Sequence, residues 1–254
     1  MRPLLQEIVT AHTPESLVEQ LRGEPGVVLL RSALFDAPQA RYSFVAARPF
    51  LTLRSFGSRC ELHSDERSHV QFGNPWQVLD GLMDRYELLD EVDLPFPLGG
   101  CFGYWGYDLK NFVEPKLPRR AVNDLELPDC HVGFYDSLVV FDHRLGKIWI
   151  VSTGLNADGS RSEIRVQEQL EWWQTTLQAE TKGRAESPLP AGHSAANSRR
   201  APSNAPCQSN LSRAEFISLV ERAQRYIRAG DLYQVKLAQR LVAPSALTGW
   251  ELFQ

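Results

Sequence analysis

The chain carries the run Tyr226-Ile-Arg-Ala-Gly-Asp-Leu-Tyr-Gln-Val-Lys-Leu-Ala-Gln-Arg240. We predict from it a helix that ends at the glycine, because glycine readily takes the left-handed backbone of a helix C-cap. A strand is predicted to follow over residues 232–241, because apolar and polar side chains alternate there. Gln234, Lys236 and Arg240 share one face of that strand. Residue type alone leaves open whether this face meets water or an anion.

A helix and a linker are predicted upstream of this run. Ser212 and Glu215 have the spacing of a capping box, in which each side chain accepts the backbone N–H of the other residue. Apolar residues at helical spacing follow: Phe216, Leu219, Val220, Ala223, Tyr226 and Ile227. Residues 181–210 are rich in proline and small polar residues, so they have little to bury and predict a flexible linker. The chain is therefore predicted to divide into residues 1–180, the linker 181–210 and residues 211–254.

Residues 1–180 predict helices that alternate with short strands. Two helices are predicted to start at Thr13-Pro14 and Asn74-Pro75, where an N-cap residue precedes proline. Two apolar stripes at helical spacing predict core faces: Val78, Leu79, Leu82, Met83, Tyr86 and Leu89, and then Val166, Leu170, Trp173 and Leu177. The predicted strands are residues 26–32, 42–47, 51–56, 132–141 and 147–153, the last two forming a hairpin.

Composition argues against several classes of protein. The 254 residues carry a net charge of −4, and no basic run exceeds a pair, so we expect no nucleic-acid binding. The first ten residues lack the apolar core of a signal peptide, and no segment reaches the roughly 20 apolar residues that span a membrane. The four scattered cysteines predict free thiols, as expected in the cytoplasm, rather than disulfides or a zinc site.

Two further segments stand out by their residue types. Residues 99–108 read Gly-Gly-Cys-Phe-Gly-Tyr-Trp-Gly-Tyr-Asp. They predict a bent, packed strand rather than a phosphate-binding loop, because the spacing of a dinucleotide fingerprint is absent. Asp129, Asp136 and Asp142 could form a metal-binding cluster, but their spacing is not that of a calcium loop. Turn and strand-end roles are the favoured hypothesis for these three carboxylates.

The order and spacing of these segments resemble one family. It comprises the large subunits of aminodeoxychorismate synthase and anthranilate synthase, which act on chorismate. The matching segments are Pro97 to Asp108, Leu127-Pro-Asp129, Tyr135-Asp136, Phe141-Asp-His143, Ser209 to Phe216 and Gly230 to Arg240. The match extends over nearly the whole chain. Within the last segment, the sequences Tyr-Gln-Val and Leu-Ala-Gln-Arg resemble the aminodeoxychorismate branch more than the anthranilate branch.

The resemblance implies a fold and a reaction. It implies an α/β fold of two packed, mostly antiparallel β-sheets flanked by helices, incomplete in this chain. The family aminates chorismate with ammonia from a glutamine amidotransferase partner, and Mg²⁺ binds the substrate carboxylate. The aminodeoxychorismate branch makes 4-amino-4-deoxychorismate, a folate precursor. Because the family's catalytic and metal-binding residues follow the last matched segment, we expect residues 1–254 alone to be inactive and name no catalytic residue.

The resemblance also indicates an effector pocket. The family's N-terminal region often holds an amino acid, which is tryptophan in anthranilate synthases. The matching positions here are Ser32, Arg41 and Tyr42. The alternative hypothesis is that Ser32 ends a strand and Arg41 is a surface charge.

The polar face of the last predicted strand is the second candidate region. By position it would place Gln234, Lys236 and Arg240 near the substrate site, and the alternative is that they support the central sheet. Lys236 stands where the aminodeoxychorismate branch usually has asparagine, so it is either a tolerated surface change or a damaging one. An anthranilate synthase fragment and a non-catalytic amino-acid-binding or docking module stay open as alternatives.

Overall fold

The structure is a computed structural model. It describes residues 2–32, 37, 40–64, 67–88, 93–118, 125–179 and 207–254. These fall into two compact units, one within Met1–Ser187 and one within Pro188–Gln254. The predicted linker lies largely outside the described residues, so the domain limits stay a prediction. None of the helices in the described ranges is long and apolar enough to cross a membrane.

The first unit alternates strands and helices. Its strands are β1 (Leu4–Ile8), β2 (Val28–Leu30), β3 (Tyr42–Ala46), β4 (Leu51–Phe56), β5 (Arg59–His63), β6 (Ser68–Phe72), β7 (Gly100–Trp105), β8 (Cys130–Tyr135), β9 (Ser137–Asp142) and β10 (Lys147–Ser152). Its α-helices are α1 (Pro14–Gln20), α2 (Pro75–Arg85), α3 (Lys110–Val113) and α4 (Glu163–Gln178), with a 3₁₀ turn at Tyr107–Leu109.

The strands form two antiparallel sheets. The first sheet has the order β1-β10-β9-β3-β2 and the second has the order β6-β5-β4-β8-β7. Every pairing in both is antiparallel. This confirms the predicted α/β fold of two antiparallel sheets with flanking helices.

Three apolar clusters hold these layers together. Helices α1 and α4 pack on one face of the first sheet, where Leu17 and Trp173 are fully buried. Helix α2 packs on one face of the second sheet. The third cluster joins the sheets, because Val140 of β9 packs in it with Tyr135 of β8 and Phe102 of β7. The sheets are therefore packed together, as predicted.

The chain passes from the second sheet to the first at Asp136, between β8 and β9. The prediction of one strand over residues 132–141 was wrong at this point. Asp136 is 1% exposed, and Arg165 donates to its carboxylate from Nε at 2.9 Å and from Nη2 at 3.2 Å. Thr153 donates its N–H and its hydroxyl to the Asp136 carbonyl. These hydrogen bonds hold Asp136 at the division between β8 and β9. The sequence does not reveal this division, because the residues on both sides of it favour strands.

Most helix signals are confirmed. Thr13 and Asn74 act as N-caps, and the stripe of α4 is buried at all four predicted positions. Of the predicted stripe, Leu79, Leu82 and the C-cap residue Tyr86 are buried, but Met83 is 48% exposed. The core prediction for Met83 was wrong because its side chain lines an open cavity instead of the core. Leu89 lies outside the described residues.

The glycine-rich segment forms β7, as predicted, and packs closely on β8. Gly103 has a φ of 155°, and a Cβ there would overlap the carbonyl oxygen of His131. A Cβ on Gly99 would lie 2.5 Å from the carbonyl oxygen of Tyr135. The two glycines therefore allow an approach that a side chain would prevent. All four cysteines are free thiols, as predicted.

The second unit contains short strands and two helices. They are β11 (Gln208–Ser209), α5 (Arg213–Ala229), β12 (Leu241–Val242) and α6 (Gly249–Phe253). The capping box of Ser212 and Glu215 is confirmed, and Gly230 ends α5 with a φ of 80°. Helix α5 has no buried residue. The described residues therefore cover its apolar stripe only in part, and they leave Tyr226 and Ile227 exposed.

Candidate functional site

Ser32, Arg41 and Tyr42 lie together where β2 ends and β3 begins. We call these residues, with Ser43 and His143, the Ser32 corner. The Ser32 hydroxyl donates to the Tyr42 carbonyl at 2.5 Å, and the Ser32 N–H donates to Ser43 Oγ at 3.1 Å. Two hydrogen bonds thus hold Ser32 against the start of β3, beyond the last residue of β2.

Arg41 is held by an ion pair at the edge of this corner. Its Nε and Nη2 donate to Asp142 Oδ2 at 2.9 and 2.6 Å. Burial raises the pKa of Asp142, but the bonds from Arg41 and from the N–H groups of Leu145 and Arg144 outweigh it and leave the pKa lowered. Arg41 is therefore a paired group, and its guanidinium lies 4.8 Å from the centre of the Tyr42 ring.

Tyr42 places a phenol in an aromatic environment. Its ring meets Phe96 edge-on at a centroid distance of 5.5 Å and lies 6.2 Å from Phe44. Burial raises the pKa of its hydroxyl. That hydroxyl is buried and has no hydrogen-bond partner within the described ranges. Because buried polar atoms are rarely left unpaired, this phenol is suited to bind a polar group of a ligand.

The structure brings the three predicted pocket residues together, and it adds two that sequence reasoning missed. Ser43 Oγ lies 2.7 Å from His143 Nε2, and the His143 N–H donates to the Arg41 carbonyl. Ser43 follows Tyr42 directly, and His143 ends the Phe-Asp-His segment of the resemblance. The sequence signal for both residues was present, but only the pairing of β3 with β9 relates them.

The first unit also contains a cavity of about 540 Å³, which no residue of the Ser32 corner lines. Phe96 lines the cavity and also contacts Tyr42. Asp84 of α2 and Glu87, which follows the helix, also line the cavity. The cavity carries no residue that the sequence predicted for ligand binding.

The second candidate region differs from its prediction. Residues 232–240 form no strand, and only Leu241–Val242 pairs, with Gln208–Ser209. The strand prediction was wrong because alternation describes side chains, whereas a strand also needs a neighbour for its backbone groups. Gln234, Lys236 and Arg240 are all exposed.

A hydrogen-bonded pair joins two of the matched segments in this unit. The Arg240 N–H donates to Asn210 Oδ1 at 2.8 Å, and the Asn210 N–H donates to the Arg240 carbonyl at 3.1 Å. The Ser-Asn motif and the Gln-Arg end of the last segment are therefore neighbours.

The three aspartates have separate structural roles, which confirms the turn and strand-end hypothesis. Asp129 Oδ2 accepts from the Gly57 N–H at 2.6 Å. Asp142 accepts from the N–H groups of the following turn as well as from Arg41. For Asp136, burial raises the pKa more strongly than Arg165 lowers it. In the part of the chain that the structure describes, no three His, Cys, Asp or Glu side chains gather as metal ligands.

Comparison with known proteins gives the family. A model described as chorismate binding enzyme matches residues 31–254. Anthranilate synthase component 1 of Acetivibrio thermocellus is 30% identical over 242 residues, which are 94% of this chain and 48% of that protein. Aminodeoxychorismate synthase component 1 of Escherichia coli (strain K12) is 30% identical over 231 residues, which are 90% of this chain and 45% of that protein.

A solved structure gives the same fold. Anthranilate synthase component I from Streptococcus pneumoniae TIGR4 matches 77% of this chain and 40% of its own, with a TM-score of 0.57 and 23% identity. The chain spans about half the length of the curated relatives it matches. Since the family model extends over most of its residues, the chain belongs to the chorismate binding enzyme family.

Proposed function

We propose that this chain is the N-terminal part of the large subunit of aminodeoxychorismate synthase. The complete enzyme would aminate chorismate to 4-amino-4-deoxychorismate for folate synthesis in the cytoplasm, with ammonia from a glutamine amidotransferase subunit. The proposal rests on two sequence motifs, Tyr233-Gln-Val and Leu237-Ala-Gln-Arg240. Both lie within the residues that match the chorismate binding enzyme family. The relatives' name, component 1, supports a second component as partner.

Anthranilate synthase component 1 is the second candidate. A specific observation favours it, since a protein of that name matches at the same identity as the aminodeoxychorismate synthase. Both candidates use the same substrate, and they differ in where the amino group is added and in the product released.

Product analysis separates the candidates. The natural gene, with any coding sequence that follows codon 254, is expressed, and the protein is incubated with chorismate, ammonium and Mg²⁺. We expect 4-amino-4-deoxychorismate by liquid chromatography and mass spectrometry. Fluorescent anthranilate would assign the second candidate. We expect residues 1–254 alone to give no product. A natural polypeptide that ends at Gln254 and forms neither product would support the non-catalytic module.

The described residues show no cluster of side chains that marks a magnesium site. No three carboxylate, histidine or cysteine side chains gather in the described ranges, and Asp136 and Asp142 are each committed to an arginine. We therefore derive no step through the metal from this chain. In our proposal Mg²⁺ belongs to the half of the relatives' length that the chain does not match, and it would neutralise the substrate carboxylate there. Gln234, Lys236 and Arg240 stay candidates for a place near that site.

We further propose that the Ser32 corner binds an amino acid of the tryptophan type. The Tyr42 and Phe96 rings offer aromatic surfaces to an indole. The Tyr42 hydroxyl, which has no partner in the described ranges, offers a hydrogen bond. In calorimetry, Tyr42→Phe should weaken L-tryptophan binding about fivefold, the effect of one net hydrogen bond. The same variant should fold at least as stably as the wild type, because the hydroxyl it lacks has no hydrogen-bond partner among the described residues. Unchanged affinity would contradict the assignment.

A further inference from the structure

Ser43 is buried between the Ser32 corner and a histidine. The whole residue is 0% exposed. In the described part of the chain its Oγ has two partners, the Ser32 N–H at 3.1 Å and His143 Nε2 at 2.7 Å. A hydroxyl that accepts from the amide retains one proton to donate. Donation to a bare Nε2 of a neutral ring satisfies this proton, whereas an Nε2–H would leave it without an acceptor among the described residues.

The surroundings of His143 favour that neutral ring. Burial, the largest influence, lowers its pKa, and Arg31 lowers it further. Glu15 of α1 and Asp142 of β9 act in the opposite sense but do not reverse the shift. Glu15 is ion-paired with Arg31, and Asp142 is ion-paired with Arg41. Each arginine offsets the negative charge of its partner, so neither carboxylate strongly stabilises a protonated His143.

We propose that Ser43 and His143 are positioning residues of the Ser32 corner, and that ligand binding there is weakened when His143 is protonated. This inference depends on the amino-acid pocket proposed above. A proton on Nε2 turns the ring atom that faces Ser43 into a donor. The Ser43 hydroxyl, a donor toward His143 until then, must turn inside a buried site where the described residues offer its proton no other acceptor. The turned Ser43 hydroxyl disturbs Ser32, whose N–H donates to it. Tyr42 is disturbed in turn, because its carbonyl accepts from the Ser32 hydroxyl.

The first test is the pH dependence of ligand affinity. L-Tryptophan is titrated into the 254-residue protein by calorimetry between pH 8 and pH 5. Because the pKa of His143 lies below the ordinary value of about 6.5, we expect constant affinity above that pH and a loss of about fivefold or more below it. His143→Gln, which can still accept from Ser43 and does not titrate, should bind with a flat profile.

A matched control uses another histidine. His131 of β8 also has its pKa lowered, by burial and then by Arg54, and it lies in the second sheet. His131→Gln should keep the wild-type profile. A profile that persists in His143→Gln, or that disappears in His131→Gln, would overturn the inference while leaving the pocket in place.

Amide hydrogen exchange tests the relay without a ligand. In the wild type, the Ser32 amide should be protected at pH 7 and lose protection, after correction for intrinsic rates, as His143 is protonated. Ser43→Ala should expose the Ser32 amide at both pH values, with exchange about fivefold faster. Equal protection in wild type and Ser43→Ala overturns the relay. Absence of tryptophan binding at every pH overturns the pocket, and with it the ligand-linked part of the inference.

Discussion

Arg41 neutralises a carboxylate that the fold has removed from water. The Asp142 side chain is 0% exposed, whereas that of Arg41 is 29% exposed. The pair therefore differs from the exposed pair of Lys147 and Glu7, whose side chains are 44% and 50% exposed. Removing one partner of a buried pair leaves a charge without compensation, whereas exposed partners are solvated by water.

Arg41→Ala is expected to destabilise the protein at pH 7. The loss should be about 2 kcal/mol, the scale of a hydrogen bond to a buried charged group. Lys147→Ala should cost less than about 1 kcal/mol in the same urea titrations. Since the pKa of folded Asp142 is lowered, its contribution is complete above the unfolded value of about 3.9 and is lost as the pH falls through the folded value. Equal losses for both variants would contradict this account.

Gly103→Ala is expected to be among the most damaging small substitutions in the chain. Its new methyl group would overlap the His131 carbonyl and its φ is one that alanine avoids. We expect a loss of about 3 kcal/mol or more, or failure to fold. Gly81 lies in α2 with nothing near its Cβ position. Gly81→Ala should therefore stabilise by about 0.5–1 kcal/mol, as measured by thermal unfolding.

At the scale of elements, the end of α4 is capped by residues from the other end of its unit. The Thr10 hydroxyl donates to the Leu177 carbonyl at 2.8 Å, and His12 Nε2 lies 3.2 Å from the Ala179 carbonyl. The last carbonyls of a helix have no partner within the helix. The segment between β1 and α1 supplies partners for two of them, and so fastens α4 beside the first sheet.

Thr10→Val should remove one of these caps with little change in shape. We expect a loss of about 1 kcal/mol in urea unfolding and faster amide exchange in the last turn of α4. Thr175→Val is the matched control, because the Thr175 hydroxyl bonds an exposed carbonyl of its own helix. It should change stability by less than about 0.5 kcal/mol. Similar exchange in both variants would show that the Thr10 cap contributes nothing.

Helix boundaries were predictable because their signals are local. Asn74 accepts the Trp76 N–H, and Ser212 and Glu215 bond each other's backbone, all within a few residues of sequence. The α/β architecture itself came from the resemblance to a family, since alternation alone does not say which strands pair. Of the pocket, the sequence located Ser32, Arg41 and Tyr42 but not Ser43 and His143, which only the β3–β9 register joins.

The strand errors have the same origin. Residues 132–141 look like one strand, but a buried ion pair at Asp136 divides them between two sheets. Residues 232–240 alternate as a strand would, yet their backbone finds no ladder in the described part of the chain. In each case the deciding partner lies far away in sequence or is another element, and no local pattern encodes it.

At the scale of the whole molecule, the two units differ in how far their apolar side chains are buried. The first buries large clusters, whereas in the second Ile227, Tyr233 and Leu252 are exposed. Contiguous exposed apolar surface promotes association. We expect the isolated chain to self-associate as its concentration rises, in sedimentation velocity experiments.

Paired substitutions test the source of that association. Ile227→Lys combined with Tyr233→Lys should reduce it, because charge is placed on the exposed apolar surface. Val9→Lys, at a position 95% exposed in the first unit, should leave it unchanged. Equal effects of the two changes would point to net charge alone as the cause.

The crossing at Asp136 also bears on how the first unit comes apart. Strands β8 and β9 are interior strands of different sheets, and a single residue separates them. If β8 separates from its neighbours, β9 is displaced as well, because the two strands are joined directly. Tyr135 and Val140 belong to one apolar cluster, so the loss of either strand disrupts that cluster. Neither sheet is therefore an independent cooperative block, and denaturant should melt both layers in one transition.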